Sequence, residues 1–508
     1  MEPLKIPITV GTLGIVRAAA VDEFSASPES VELAINLSFD KIGAVELRNG
    51  LTTLGAQISA SPILGMSNYR NNAGTTYGLL AKVSSVVYNF NGSNWSSVRT
   101  GLSNTSKARF TNFLDLTYMV DGNAGSAVAT FNGSIWSAVR TSLSSTSKAR
   151  FTNFLDLTYM VDGNGGSAVA TYDGSAFGST NIGSLPKGDD IENYRSRIWV
   201  ADSATDKVYY TDVVSTSQTI SGGTSFIQVS PQDGEKITAL KRYPDALLVF
   251  KQNHISRILS PTSADPDPRI FRGTYSKESI IETKSGLFYH HPTGFYKFVY
   301  SGDQEEISRP IIDVVEAISR ANYENINGWA DSDHCYWSVG DITLDGLAYA
   351  NVVCRYTIST QVWTLYSYAS EIKRSALYDD GTLLRLIVGD ENGYPFVFDS
   401  GLTDNGTPIF YDLQTHPLYL TSTKMTEKEI TEISAVHENA QGAYISHKAD
   451  NGNWSKPLTI TKDIVQAFTT SAKFKKIRLR FSGNSIGNSL IFRSWELLQV
   501  LITGTSKK

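Results

Sequence analysis

Apolar and polar residues alternate along most of this chain in short runs separated by Gly, Asn and Asp. An alternation with a period of two is typical of a half-buried β-strand and not of an amphipathic helix. Between residues 107 and 139 the pattern predicts four strands, with turns at Asp121-Gly122 and Asn132-Gly133. Asp-Gly and Asn-Gly favour tight hairpin turns because Gly adopts positive φ without a steric clash. The predicted unit is therefore a small antiparallel sheet.

This unit is repeated. Residues 105–123, TSKARFTNFLDLTYMVDGN, recur without change at 146–164, a spacing of 41 residues. The pair Phe90-Asn91 returns as Phe131-Asn132 and, relaxed, as Tyr172-Asp173. Four strands in about 40–45 residues is the size of one β-propeller blade. A leucine-rich solenoid would need a shorter period, and a helical repeat would need 3.6-residue periodicity. We therefore expect Trp95, Trp136 and Phe177 to occupy matching positions in three successive blades.

The same rhythm continues beyond the duplicated copies, in weaker form. The fold class predicted is all-β, a propeller of roughly seven or eight four-stranded blades with a smaller C-terminal antiparallel β-domain. We divide the chain into an N-terminal arm with strands (1–60), the propeller (61–402) and a sandwich-like domain (403–508), which the arm is a candidate to complete. Strand pairs after the repeats mark later blades, at 197–210, 246–258, 286–298, 335–363 and 383–398.

One helix is expected within this β-pattern. Ser308 is placed to cap it, Pro310 suits its first turn, and Ile311, Val314 and Ile318 form an apolar stripe. An isolated helix in a propeller is most simply a packing or contact element.

Charge and composition restrict the function. The net charge is −5, which argues against a strong nucleic-acid binder. The charge is uneven, because residues from Thr403 onward carry +4 and the remainder −9. There are two cysteines, so the chain is not a disulfide scaffold. Residues 1–23 resemble a signal peptide only superficially, since Glu2 and Pro7 interrupt its pattern. We expect a soluble protein folded in a cytoplasm, without membrane insertion.

Candidate catalytic groups lack the context that their chemistry needs. Residues 483–487 match the G-x-S-x-G nucleophile motif, but they lie between two predicted strands and not at a strand–turn–helix elbow. His290-His291 and His334-Cys335 are adjacent on strands, so each pair points to opposite faces and cannot supply two ligands to one metal. We predict no catalytic residues, no metal and no cofactor, and hence no enzyme.

Binding sites were weighed in the same way. The turn at 390–393 and the repeated Asp121-Gly122 could bind calcium, but turn chemistry accounts for both. Trp95 and Trp136 could be sugar platforms, although blade packing is the simpler role for large aromatics. Both follow a Gly, as in the repeated boxes of sialidase-type propellers, but Phe90 and Phe131 stand where those boxes have Asp.

One basic strand is the remaining candidate for a contact surface. Residues 476–481 place Lys476, Arg478 and Arg480 on one face and apolar residues on the other. A DNA contact and a protein contact both fit this pattern. We favour a subunit or partner contact because the whole chain is acidic.

Several stretches together resemble the propeller proteins in the tails of short-tailed bacteriophages, the tail nozzle or DNA-stabilisation proteins. Residues 36–51, NLSFDKIGAVELRNGL, are similar to an N-terminal pattern of that group. The blades at 237–255 and 286–298 are similar to recurring blades in it. The segment from Gly389 to Gly406 resembles the passage from the propeller to the tail domain in those proteins.

The resemblance implies a structural virion protein, assembled in the cytoplasm of the host bacterium. It would form a homo-oligomeric ring, with a hexamer expected, below the phage portal and adaptor proteins, and would provide a conduit and closure for genomic DNA that it holds only weakly. The alternatives are a propeller adhesin that binds a receptor or glycan and, less favoured, a glycoside hydrolase. Fold alone does not separate them.

Overall fold

The protein is described by a computed structural model whose described part covers the segments 5–9, 13–17, 30–41, 43–71, 73–74, 77–121, 128–140, 149–162, 169–173, 177–178, 182–214, 220–261, 272–299, 303–420, 427–462, 464–485, 487, 489–498 and 501–502. Within them, 57% of the chain is strand and 4% helix. The predicted all-β class is confirmed.

Eight antiparallel sheets form a ring, so the structure is an eight-bladed β-propeller in its described residues. First strands of neighbouring blades contact one another from blade 1 to blade 5, and from blade 6 through blade 8 back to blade 1. Each first strand is therefore the innermost strand of its blade. Blade 1 consists of Ile63–Arg70, Tyr77–Val83, Val86–Phe90 and Trp95–Arg99, and blade 2 of Arg109–Phe113, Leu116–Val120, Val128–Phe131 and Trp136–Arg140. Blade 3 consists of Arg150–Phe154, Leu157–Val161, Ala170–Tyr172 and Phe177–Gly178, and blade 4 of Asp190–Tyr194, Arg197–Asp202, Lys207–Thr211 and Gly222–Gln228.

The other four blades keep this order with local changes. Blade 5 consists of Ile237–Arg242, Leu247–Lys251 and Ile255–Ile258, and blade 6 of Ile281–Thr283, Gly286–His291, Gly294–Phe298 and Gln304–Glu306. Blade 7 consists of Asn327–Ala330, His334–Leu344, Leu347–Thr357 and Val362–Ser367, and blade 8 of Ile372–Asp379, Leu384–Asp390, Pro395–Val397 and Thr52–Thr53. The fourth strand of blade 8 thus comes from the N-terminal side of the propeller. It pairs with Pro395–Val397 and closes the ring.

The repeat is reproduced in three dimensions. Trp95, Trp136 and Phe177 each begin the fourth strand of their blade, opposite Phe90, Phe131 and Tyr172. The two rings of each pair have centroids 5.1 Å apart in all three blades. The predicted equivalence is confirmed, and these aromatics serve blade packing.

The C-terminal strands and the N-terminal arm build two further sheets. One contains Leu37–Ser38, Val45–Leu47, Ile491–Leu498, Lys428–Glu438 and Ile464–Phe474, joined by Lys5–Thr9 and Leu501–Ile502. The other contains Val31–Ile35, Phe410–Thr415, Ile477–Asn484, Tyr444–Ala449 and Leu458–Thr459. Aromatic rings from both sheets meet between them, with Phe481 and Phe492 centroids 4.4 Å apart. We call this unit the sandwich.

The sandwich and blade 7 share one sheet and one core. Ile35 pairs in parallel with Leu365, which joins the outer strand of blade 7 to the second sheet of the sandwich. A single apolar cluster contains Trp363 of blade 7, Phe295 of blade 6 and Trp495 of the sandwich. Propeller and sandwich are therefore packed together and not linked by a free tether.

The expected helix is present but short. A 3-10 turn, Arg309–Ile311, leads into the α-helix Ile312–Ala317, and further 3-10 turns span Lys277–Ser279 and Arg320–Asn322. Val314 and Val315 are buried in the shared core. The capping role predicted for Ser308 is wrong, because its hydroxyl accepts a hydrogen bond from the Phe295 amide at 2.9 Å and makes no cap bond.

Arg48 fastens the segment that follows the propeller. Its side chain is fully buried and forms an ion pair with Asp404, with Nη2 and Oδ2 2.6 Å apart. Its Nε donates to Asn36 Oδ1 at 2.8 Å, and its guanidinium lies 4.2 Å from the centroid of the Tyr368 ring. The turn around Asp404, at the predicted boundary between the propeller and the C-terminal domain, is thereby tied to the N-terminal arm.

Candidate functional site

The predicted contact strand has its charges paired within the chain. It spans Ile477–Asn484 in the middle of the second sandwich sheet. Arg480 holds the buried carboxylate of Asp412 with two hydrogen bonds of 2.8 and 2.7 Å, and Arg478 binds Glu32 at 2.8 Å. Both arginine side chains are about a quarter exposed, at 26% and 25%. They lie on one face, as the alternation predicts, but their partners come from the arm and a neighbouring strand.

A partner contact through Lys476, Arg478 and Arg480 stays a prediction. Its most direct test, reversing all three charges, would place carboxylates beside Glu32 and Asp412. Like charges at that distance in a half-buried site destabilise the fold. Charge reversal on this strand therefore cannot separate assembly from folding.

The candidate nucleophile and histidines have structural roles. The buried Ser485 hydroxyl accepts a hydrogen bond from the Ile409 amide at 2.8 Å. Burial lowers the pKa of His290 to about 3, and burial followed by the charge of Arg272 lowers that of His291 to about 4. Burial raises the pKa of the Cys335 thiol, which favours the unreactive protonated form. None of these groups is arranged as a nucleophile with its base.

The turn between the second and third strands of blade 8 is explained by hydrogen bonding. Asp390 Oδ1 accepts from the amides of Asn392 and Tyr394 at 3.0 and 2.7 Å, and Oδ2 accepts from the Ser370 hydroxyl at 2.6 Å. These bonds occupy the oxygens that a calcium ion would need. The other candidate, Asp121-Gly122, lies partly outside the described residues.

Asp233, Glu235 and His254 bring possible metal-ligating atoms within 4.8 Å of one another. The buried Lys251 ammonium contacts both oxygens of Asp233, at 2.8 and 2.9 Å. Glu235 accepts from the Asn253 amide at 2.8 Å. The Lys251 ammonium occupies the position that a metal ion would need, so this cluster is an ion-pair network.

A second charged cluster lies at one mouth of the propeller channel. Arg109, Arg150 and Arg374 occupy the same register on the innermost strands of blades 2, 3 and 8. In each blade the arginine pairs with a residue near the end of the second strand, and that residue is followed directly by an Asp. Asp190 takes that position in blade 4. Equivalent positions of a propeller converge around its axis, so the blade symmetry brings three guanidinium groups to one place.

A short segment crosses this mouth. The 3-10 turn Lys277–Ser279, here called the plug, lies between blades 5 and 6. Glu278 forms an ion pair with Arg109 on blade 2, and the same oxygen lies 3.7 Å from Arg150 Nη2 on blade 3. Lys277 contacts both oxygens of Asp190, at 2.6 and 2.5 Å. Blades 2 and 6 are opposite each other in a ring of eight, so Glu278 reaches across the channel.

Blade 7 holds the plug in place. The buried Trp337 ring nitrogen donates to the Ser279 carbonyl at 3.0 Å, and the Ser276 hydroxyl donates to the Ile326 carbonyl at 2.9 Å. A substituent on Gly328 would collide with Ile281 at 2.8 Å. The plug is therefore held in a fixed position across the mouth.

Positive charge is in excess at the mouth. The cations are Lys107, Arg109, Arg150, Lys277 and Arg374, and the carboxylates are Asp190, Glu192 and Glu278. Burial, with the neighbouring cations, lowers the pKa of Lys107 to about 8 and that of Arg109 to about 10. Burial would raise the pKa of Glu278, but the surrounding cations outweigh it and hold the pKa below its usual range.

Sequence reasoning missed this cluster. Arg109 and Arg150 stand in the exact repeat, 41 residues apart, and that spacing was the available signal. Their partners Glu278 and Arg374 lie far away in the sequence, in segments that do not belong to the repeat.

Comparisons with known proteins bear on the fold alone. No protein-family model and no curated protein matches the chain. Among solved structures, the computationally designed Ika8 protein aligns at 9% identity and a TM-score of 0.43, covering 68% of this chain and 99% of that chain. BamB from Moraxella catarrhalis aligns at 11% identity and 0.43, covering 68% and 99%. YCF48 from Cyanidioschyzon merolae aligns at 10% identity and 0.37, covering 69% and 98%.

These neighbours are β-propellers. At such identities and TM-scores they say nothing about activity, and the fold stands on the strand pairing itself. In the described part of the chain, no helix has the length and apolar content needed to cross a bilayer.

Proposed function

We propose that the protein is a structural component of a phage tail that assembles with copies of itself into a ring around the path of the genome. The resemblance seen in the sequence supports the class of protein. The observation that carries self-assembly is a long edge strand on the sandwich whose first nine residues carry no charge.

This edge strand is Ile464–Phe474, the last strand of the first sandwich sheet. One side pairs with Lys428–Glu438, and within the described residues its other side pairs with no strand. Residues 464–472 contain no charge and no proline, and Ile464 and Val465 are 66% and 46% exposed. Soluble proteins normally protect such edges with charges, proline or a cover, because a free edge recruits another strand.

A second copy of this chain is the occupant that we infer for the edge strand. The strand at the opposite edge of this sheet, Leu37–Ser38, has only two residues. It is therefore too short to pair with the whole edge strand of a neighbouring copy. If the edge strand paired with itself across a twofold axis, it would close a dimer. A ring requires it to contact a different surface of the neighbour.

The proposed path for DNA is the space that a ring of copies encloses. The propeller's own channel is crossed at one mouth by Glu278 and Arg109. The excess of positive charge there would also retain a polyanion and not release it. Because the chain as a whole carries a net charge of −5, we expect the isolated protein to bind duplex DNA weakly at physiological salt.

The test is the mass distribution of the purified protein, by mass photometry or native mass spectrometry. We expect rings, with six copies as the favoured number. Ala467→Lys with Thr469→Lys places two charges on the exposed face of the edge strand and should shift the distribution to monomers. The matched control is Ser137→Lys with Ala138→Lys, on exposed positions of a propeller outer strand.

A dimer as the final species would contradict the ring. Equal assembly by the edge-strand variant and the control would exclude the edge strand as the contact. Glycan binding by the monomer, lost on substitution of propeller loops, would favour the adhesin alternative.

A further inference from the structure

We propose that the mouth of the propeller channel is a binding site for a small oxyanion, with inorganic phosphate as the representative ligand, held by Arg109, Arg150 and Arg374 beside Glu278. This inference goes beyond the proposed function and does not depend on ring assembly.

The first argument is an excess of unfilled donors. Arg109 and Arg150 share a single oxygen of Glu278, and the contact from Arg150 is 3.7 Å, longer than a hydrogen bond. Arg109 Nε is buried and has no hydrogen-bond partner among the described residues. Arg374 donates to the carbonyls of Leu64 and Lys373, at 3.3 and 2.7 Å. Guanidinium groups prefer paired donation to a carboxylate or phosphate, and one carboxylate is insufficient for three of them.

The second argument is that the excess charge is confined. The side chains of Arg109 and Arg150 are 23% and 13% exposed, so solvent screens them only in part. Buried charges in proteins are normally paired, because an unpaired one destabilises the folded state. Glu278 and Asp190 are each already engaged by Arg109 and Lys277. A bound anion supplies the missing negative charge and accepts the free donors.

The third argument concerns size. The plug is fixed to blade 7 by Trp337 and Ser276, so Glu278 stays at the mouth. Because the ion pair between Glu278 and Arg109 spans the mouth, the ligand that we infer is a small ion with a few oxygens and not a double helix. The same chemistry would hold a phosphate group of a nucleic acid, and the experiment has to separate the two sources.

The experiment is isothermal titration calorimetry with sodium phosphate, set against sodium chloride of equal ionic strength. We expect saturable phosphate binding near one site per chain. Arg150→Gln and Arg374→Gln should each weaken it about tenfold or more, since a charge-assisted hydrogen bond contributes on that scale. Arg70→Gln is the matched control, because Arg70 is a half-exposed arginine in another ion pair, at the opposite end of an innermost strand.

Glu278→Gln gives the sharpest result. It keeps the size of the side chain and removes the competing negative charge, so phosphate should bind more tightly, by about tenfold. A general salt effect would not produce opposite changes in Glu278→Gln and Arg150→Gln. Circular dichroism of each variant checks that the fold is retained, and Glu278→Gln tests the proposal even if an arginine variant does not fold.

Three outcomes would overturn the proposal. The first is no heat from phosphate beyond that from chloride. The second is equal affinity in Arg70→Gln and Arg150→Gln. The third is displacement of phosphate by a duplex oligonucleotide, which would reassign the site to nucleic acid.

Discussion

The duplicated blades 2 and 3 and the unit formed by blade 7 and the sandwich are built in opposite ways. Buried apolar residues between blades 1 and 3 form two small clusters, of six and four residues. Blade 7, the helix, the arm and the sandwich share one cluster of fifty. A repeat contacts only its neighbours, so its core is divided into thin interfaces. The joined unit gathers residues from 8 to 497 into one interior, and both ends of the chain are needed to fill it.

The comparison predicts that a destabilising substitution in the duplicated blades unfolds only the blades next to it. In the unit formed by blade 7 and the sandwich, it should destabilise the whole unit. The following predictions test it, from the largest expected effect to the smallest.

Trp495→Ala should destabilise the protein by about 3–5 kcal/mol, because it empties a fully buried aromatic site between Phe481 and Phe492. Urea unfolding followed by far-ultraviolet circular dichroism measures the loss. The matched control is Trp136→Ala in blade 2, whose ring is only half buried. The control should cost clearly less, and protease cleavage should then appear in the propeller alone. Equal losses in the two variants would contradict the comparison.

Met119→Ala and Met160→Ala remove the same fully buried side chain from two blades of nearly identical sequence. Each should cost about 2–4 kcal/mol, according to the cavity left behind. Met119 lies in a cluster with Tyr69 and Phe131, whereas Met160 lies with Val120, Val128 and Ala149. We expect Met119→Ala to cost more, by roughly 1 kcal/mol, since larger neighbours collapse less readily into the cavity. Thermal unfolding of the pair measures this difference, and the reverse order would show that the neighbouring blade does not set the cost.

His334 should make stability depend on pH in the joined unit. Burial opposes its charge, but hydrogen bonds to Asp331 and to Asp40 of the N-terminal arm raise its pKa to about 9. A pKa raised in the folded state gives stabilisation that is complete below about pH 6.5 and is lost as the pH rises through about 9. His334→Gln removes this stabilisation, so it should lower the free energy of unfolding by roughly 1–2 kcal/mol at pH 6 and change it little at pH 10.

Asp40 provides the other limit of that pH range. Burial opposes its ionisation, but His334 and Arg355 lower its pKa, so its contribution is present above about pH 4 and is lost as the pH falls. Denaturation at pH 6, 8 and 10 should therefore show a pH effect in the unsubstituted protein. Protease cleavage should locate this effect at the junction of the arm and blade 7, which carry Asp40 and His334. A pH effect that persists in His334→Gln would assign it to another group.

The sequence alone determined the blades. Alternation, Asp-Gly and Asn-Gly turns and the 41-residue spacing are local signals. They placed the four strands of blade 2 between residues 107 and 139, and the structure has them between 109 and 140. The aromatic pair at the start of each fourth strand was readable for the same reason, since the repeat keeps an aromatic residue at both positions in all three blades. Hairpins form between neighbours in sequence, and their chemistry is written in the turn.

The contacts that join the blades to one another and to the sandwich were decided only by the tertiary structure. Thr52–Thr53 closes the ring against Pro395–Val397, across more than three hundred residues. Arg478 and Arg480 read as a free basic face, but Glu32 and Asp412 meet them only after the arm has folded onto the sandwich. Glu278 reaches Arg109 only because eight blades place them on opposite sides of one channel. A single sequence shows which side chains share a face, but charge pairing depends on the distance between segments, and the closure of the ring sets that distance.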